Sequence, residues 1–174
     1  MEKTAVQKLA GVLKVLVTVT LVCNLVALLL VPGMSLMKGP EELLALTPYE
    51  NPMEVPLRVG LVFVLSWGWV WTAGVYEVVL ALFLLFCGIC TAVILWQGRR
   101  VLGTILTGAP FRAENGVSLR RAAVCCFLIA AAALARVVWG LFYYGSVAPL
   151  LTYNALFVPI FILGGLLCLV MSAL

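Results

Sequence analysis

Residues Val75–Trp96 read VYEVVLALFLLFCGICTAVILW, and this stretch decides the fold. It carries one charged side chain, Glu77, near its start, and no proline. About 20 apolar residues in a helix cross a hydrocarbon core of roughly 30 Å. The run therefore reads as a membrane span, extending to about residue 97. Gln97, Gly98, Arg99 and Arg100 then form a polar flank.

Three further runs have the same character, giving helices at about 9–31, 119–144 and 151–174. The fold expected is an all-α membrane protein, four transmembrane helices in a bundle, as a single membrane domain over 1–174. Composition agrees. The 174 residues are 65% hydrophobic and 10% charged, with a mean hydropathy of +1.20. Soluble domains are nearer 45–50% apolar and about 25% charged, so this chain has too few charges to cover a water-facing surface.

The first run begins after Lys3 and Lys8 and contains Lys14 and Asn24. No small-residue cleavage site follows it, and Val22 before Cys23 does not suit a lipidated cysteine, so it reads as an uncleaved helix. Pro32-Gly33 is expected to end it, because proline interrupts a helix. Residues 32–72 form an outer loop and flap. The loop holds Glu41, Glu42, Glu50 and Glu54, with a short helical turn expected at Pro40–Leu44. In the flap, large side chains fall at Leu61, Phe63, Leu65, Trp67, Trp69 and Trp71. A period of two is a strand signature, and Trp favours the headgroup zone. The segment reads as an interfacial hairpin or irregular flap, with a fifth membrane helix as the rival.

Residues 98–118 form the loop between the second and third spans. Residues 101–108 suit a surface helix that Pro110 breaks, and Asn115 and Ser118 offer caps for a helix starting near Leu119. Around this loop stand Arg99, Arg100, Arg112, Arg120 and Arg121, against one acid, Glu114. Cytoplasmic loops carry excess Lys and Arg. Four spans put this loop, the lysine-bearing N-terminus and the C-terminus on the cytoplasmic side, with the acidic loop outside. Trp139, Tyr143 and Tyr144 make an aromatic belt at the outer end of the third span. Pro159 is expected to kink the fourth.

The loop reads Gly108-Ala109-Pro110-Phe111-Arg112-Ala113-Glu114-Asn115-Gly116-Val117-Ser118-Leu119-Arg120. This resembles the G-x-P-F-x-x-x-N-x-x-x-L-R pattern of a bacterial family of small four-helix membrane proteins of unknown function (domain-of-unknown-function family two-nine-seven-five). Helix order and loop position are similar too. The resemblance implies a bacterial cytoplasmic (inner) membrane and, because members are often encoded beside a Cro/Xre-type repressor, a regulatory accessory role. It supplies no reaction.

Chemistry-bearing residues are few. The chain has no histidine, which removes the commonest general base and metal ligand. No Ser/His/Asp set, metal site or phosphate loop stands out, so neither an enzyme nor a cofactor is expected. Cys87-Gly88-Ile89-Cys90 is a C-x-x-C, open to a membrane thiol oxidoreductase reading. Its mid-helix place fits small residues at a helix contact better.

Arg136 lies inside the third span, where a charge costs at least ~2.5 kcal/mol unless paired or snorkelling. Glu77 has a similar inferred depth, so an intramembrane Arg136–Glu77 pair is expected, with Asn154 and Tyr143 nearby. The bland reading makes that pair structural; the sharp one makes it the polar site of a small oligomeric transporter or channel. Asn24 reads as an interhelical hydrogen bond. Pro110, Phe111, Arg112, Asn115, Arg120 and Arg121 are the candidate contact for a cytosolic or membrane partner or for anionic lipid, with no nucleic acid expected. Trp67, Trp69 and Trp71 are interfacial anchors or a lipophilic-ligand surface. The leading function is a membrane accessory or regulatory protein that acts through contacts.

Overall fold

The computed structural model describes residues 5–36, 55–108, 112–145 and 153–173. Five α-helices account for nearly all of them. They are α1 (Ala5–Leu36), α2 (Val55–Trp69), α3 (Val75–Leu106), α4 (Ala113–Tyr144) and α5 (Tyr153–Ala173), with a 3-10 turn at Val70–Thr72 after α2. No strand occurs among the described residues. Four helices are long and apolar enough to cross a membrane: α1, α3, α4 and α5. Helices satisfy every backbone group internally, which is what a hydrocarbon solvent demands.

The hairpin reading of the Trp-rich segment is corrected: residues 55–69 are helical. Its alternation was one of size, with apolar groups at nearly every position, so it marked no polar face. Among the described side chains of this segment the buried ones are Phe63, Ser66 and Val70, at helical spacing. Leu61, Leu65, Trp67, Trp69 and Trp71 are exposed. Fifteen residues rise only about 22 Å, less than the hydrocarbon core. The segment is a fifth helix without the length of a span.

Pro32 does not end α1, which continues to Leu36 with the proline inside it. Membrane helices tolerate proline where neighbours take up the freed backbone groups. Two carbonyls near the proline, other than the Leu28 carbonyl four residues back that it frees, gain side-chain donors: Ser35 Oγ donates to the Pro32 carbonyl at 2.8 Å, and Trp67 Nε1 donates to the Leu29 carbonyl at 3.0 Å. Gly33 faces the Phe63 ring, which already fills the space a Cβ would take. The Pro-Gly pair is a notch that receives α2, not a terminator. Pro159 likewise lies inside α5.

Helices α3 and α4 both extend further towards residues 107–112 than the sequence indicated. Helix α3 runs to Leu106 and closes on Gly108, whose φ of 76° suits a residue without Cβ. Helix α4 begins at Ala113 with Arg112 as its N-cap and no side-chain cap. Asn115 and Ser118, expected as caps, are buried inside the helix instead. The expected turn at Pro40–Leu44 and the residues Pro110 and Phe111 lie outside the described residues.

The chain gathers into two compact units, 1–25 with 86–174, and 26–85. In the first, α4 is the most enclosed span and the least apolar, with a mean hydropathy of 2.2 against 3.0 for α3. Its buried stripe is Ala122, Ala123, Cys126, Ile129, Ala130, Ala133, Val137 and Gly140. Small residues of this kind let membrane helices approach closely, since lipid tails give no hydrophobic drive to association. Helix α5 packs along α4, with the Phe127 ring 3.0 Å from where a Cβ on Gly165 would stand. The start of α1 lies along the end of α3: Gly11 faces Leu106 and Gly103 faces the Lys14 ammonium.

Candidate functional site

Three chain regions meet at one end of the first unit: the start of α1, the connection from α3 to α4, and the end of α5. Gln7 approaches Gly108, and a Cβ on Gly116 would stand 3.1 Å from the Ser172 carbonyl oxygen. Polar contacts tie this end together. Asn115 Nδ2 donates to Thr104 Oγ1 at 2.7 Å, and Thr104 Oγ1 donates to the Val101 carbonyl at 2.7 Å. Asn115 is 6% exposed, so this bond fixes the register of α4 against α3. The Arg99 guanidinium lies 5.7 Å from the centre of the Trp96 ring. Glu114 stands in the first turn of α4, where a carboxylate complements the helix dipole.

Two cavities open at this end and share Arg112 and Asn115. The larger is about 770 Å³, walled by Val101 and Ile105 of α3, Val117 and Arg120 of α4, and Met171 of α5. The smaller is about 220 Å³, with Arg100, Thr104, Thr107, Glu114 and Ser118 in its lining. Glu114 lines the smaller one only, so the larger holds two guanidinium groups and no acid. Of the sequence-derived contact residues, Arg112, Asn115 and Arg120 line the larger cavity, whereas Arg121 is exposed outside both. Sequence reasoning missed the α5 wall, because nothing in Met171 or Ser172 marks them locally.

Deeper in the same unit, Asn24 Nδ2 donates to the Gly88 carbonyl at 3.0 Å, the interhelical bond its type and depth implied. Cys90 is buried and lies beside Cys125 on α4. All six cysteines are free thiols. The C-x-x-C thus contributes to the contact of α3 with α4, and among the described residues no cluster has the makings of a metal site. Gln97 is also buried, and its Oε1 has no hydrogen-bond partner among the described residues.

Arg136 is half-buried, and its guanidinium lies near enough to the Cys87 thiol for an electrostatic interaction. The Glu77 carboxylate folds back over Gly74 at the start of α3. Arg136 belongs to the first unit and Glu77 to the second. Neither lines the two cavities. Tyr143 stacks on Trp139 with ring centres 4.9 Å apart, and it meets Tyr144 edge-on at 5.1 Å. The Asn154 side chain lies outside the described residues.

Comparison with family models, curated proteins and solved structures gives no match. What the fold and this end define is a multi-pass helical membrane protein. The resemblance in the 108–120 loop rests on the loop residues themselves.

Proposed function

We propose that the chain is an accessory or regulatory protein of a bacterial inner membrane, acting through contacts at its cation-rich end. The observation that carries this is the gathering of charge there. Lys8, Lys14, Arg99, Arg100, Arg112, Arg120 and Arg121 stand on the segments that meet at this end, against Glu114 alone among the described residues. The positive-inside rule makes it the cytoplasmic end.

Helix length supports the reading. Each of α3 and α4 has 32 residues and rises about 48 Å, more than the roughly 40–45 Å of a bilayer with its headgroups. Helices of that length reach beyond the hydrocarbon core, and the exposed Arg100, Arg112 and Arg121 at their connection are open to a partner. Its arginines give planar, multidentate donors suited to carboxylates and phosphates.

Cross-linking in native membranes followed by pull-down tests the proposal. The Arg100→Ala/Arg121→Ala variant is expected to lose at least one partner that the unaltered chain captures. An unchanged partner list removes the contact role. Thr107→Cys reports the side: it is expected to resist a membrane-impermeant maleimide in intact cells and to react after lysis.

A further inference from the structure

We infer that the larger cavity at the Arg112–Arg120 face of α4 is a binding site for an anionic phospholipid. This rests on the membrane-spanning reading above, but not on whether the hairpin docks a protein.

Register fixes the depth of the site. Helix α5 has 21 residues and rises about 31 Å, matching the hydrocarbon core. Its last described turn, with Met171 and Ser172, lies beside the start of α4. Gly116 abuts the Ser172 carbonyl and shares that level. Arg112 and Arg120 stand one turn to either side of Gly116 on the same face, at i−4 and i+4. Arginine side chains from both turns converge on the headgroup zone, because a long cationic side chain snorkels towards it.

The walls have the matching two-part chemistry. Val101, Ile105, Val117 and Met171 give the cavity its apolar lining, and Arg112 and Arg120 its cationic one. Both arginines are exposed. The Ser172 carbonyl opposes an anion at the floor, a partial charge outweighed by two full ones. A cavity of about 770 Å³ holds a phosphate-bearing head and the upper part of an acyl chain. A zwitterionic headgroup brings its own cation and gains less from the two guanidiniums. A soluble phosphate leaves the apolar walls uncovered.

Native mass spectrometry of the purified full-length chain tests this, with phosphatidylglycerol, phosphatidylcholine of the same acyl chains, and inorganic phosphate as probes. Phosphatidylglycerol is expected to stay bound where phosphatidylcholine and phosphate do not. Arg112→Ala/Arg120→Ala is expected to weaken it roughly 10- to 30-fold, from about 1 kcal/mol per basic residue at an anionic surface. Arg99→Ala/Arg121→Ala removes the same charge outside the cavity and is expected to leave binding nearly unchanged. Met171→Trp keeps every charge and fills the apolar side, so it too is expected to displace the lipid. Should the double alanine variant not fold, Met171→Trp and the Arg112→Lys/Arg120→Lys pair decide, the lysine pair retaining most of the binding. Equal losses in the two double alanine variants, equal retention of phosphatidylcholine, or phosphate binding as well as lipid would each overturn the site. The assay contains no protein partner, so its failure leaves the docking proposal standing, and the reverse also holds.

Discussion

Along α4 the buried residues change character. From Ala122 to Gly140 they are alanine, cysteine, glycine and two branched aliphatics, whereas at Asn115 and Ser118 they are polar. The first region is held by close approach and the second by hydrogen bonds. The difference follows from the solvent. Between hydrocarbon tails, helix association rests on packing, so small side chains mark the seam. Near the headgroups water competes for polar groups, and a buried amide holds its place only when partnered. One helix thus needs steric fit in its middle and a specific donor at its end.

Overpacking the seam is expected to have the largest effect. Ala133 is fully buried, and Ala133→Phe is expected to destabilise by about 1–3 kcal/mol, read from the midpoint of denaturation in mixed micelles. Little or no shift would show that the seam is loose. At the polar end, Asn115→Ala removes the bond to Thr104 and is expected to cost roughly 1 kcal/mol. Thr104→Ser keeps the hydroxyl that accepts from Asn115 and is expected to retain nearly all of the stability; equal losses in the two variants would assign the effect to packing. The smallest effect is expected at Asn24, whose bond to Gly88 lies in the membrane interior. Asn24→Leu exchanges an average intramembrane hydrogen bond of about 0.6 kcal/mol for apolar contact, so stability is expected to change by less than that. A loss well above it would mean that Asn24 joins a larger polar network.

The four spans were legible because each is a long apolar run, and one solvent gives such runs one meaning. Boundaries were less so, because the same signals work differently against a neighbouring helix. Pro32 reads as a stop in isolation, yet Trp67 and Ser35 hydrogen-bond carbonyls beside it. Asn115 reads as a cap, yet it serves as a donor across to α3. The alternating large residues at 61–71 read as a strand, yet Ser66, the small polar residue among them, marks the buried face with Phe63 and Val70. Of the candidate site, the arginines were visible from charge alone. The cavity was not, since its walls come from three helices whose meeting depends on the register of Gly116 with Ser172.

The unbroken length of α3 has a mechanical consequence. A rod that outspans its bilayer responds to membrane thickness by leaning rather than by compressing. For a rod of about 48 Å, a lean of about 10° carries one end sideways by roughly 8 Å. The Asn115–Thr104 clasp makes α4 follow. Thinning of the surrounding lipid would therefore swing the arginine-bearing tip across the membrane surface, turning a change in bilayer composition into a change in where its guanidinium groups point.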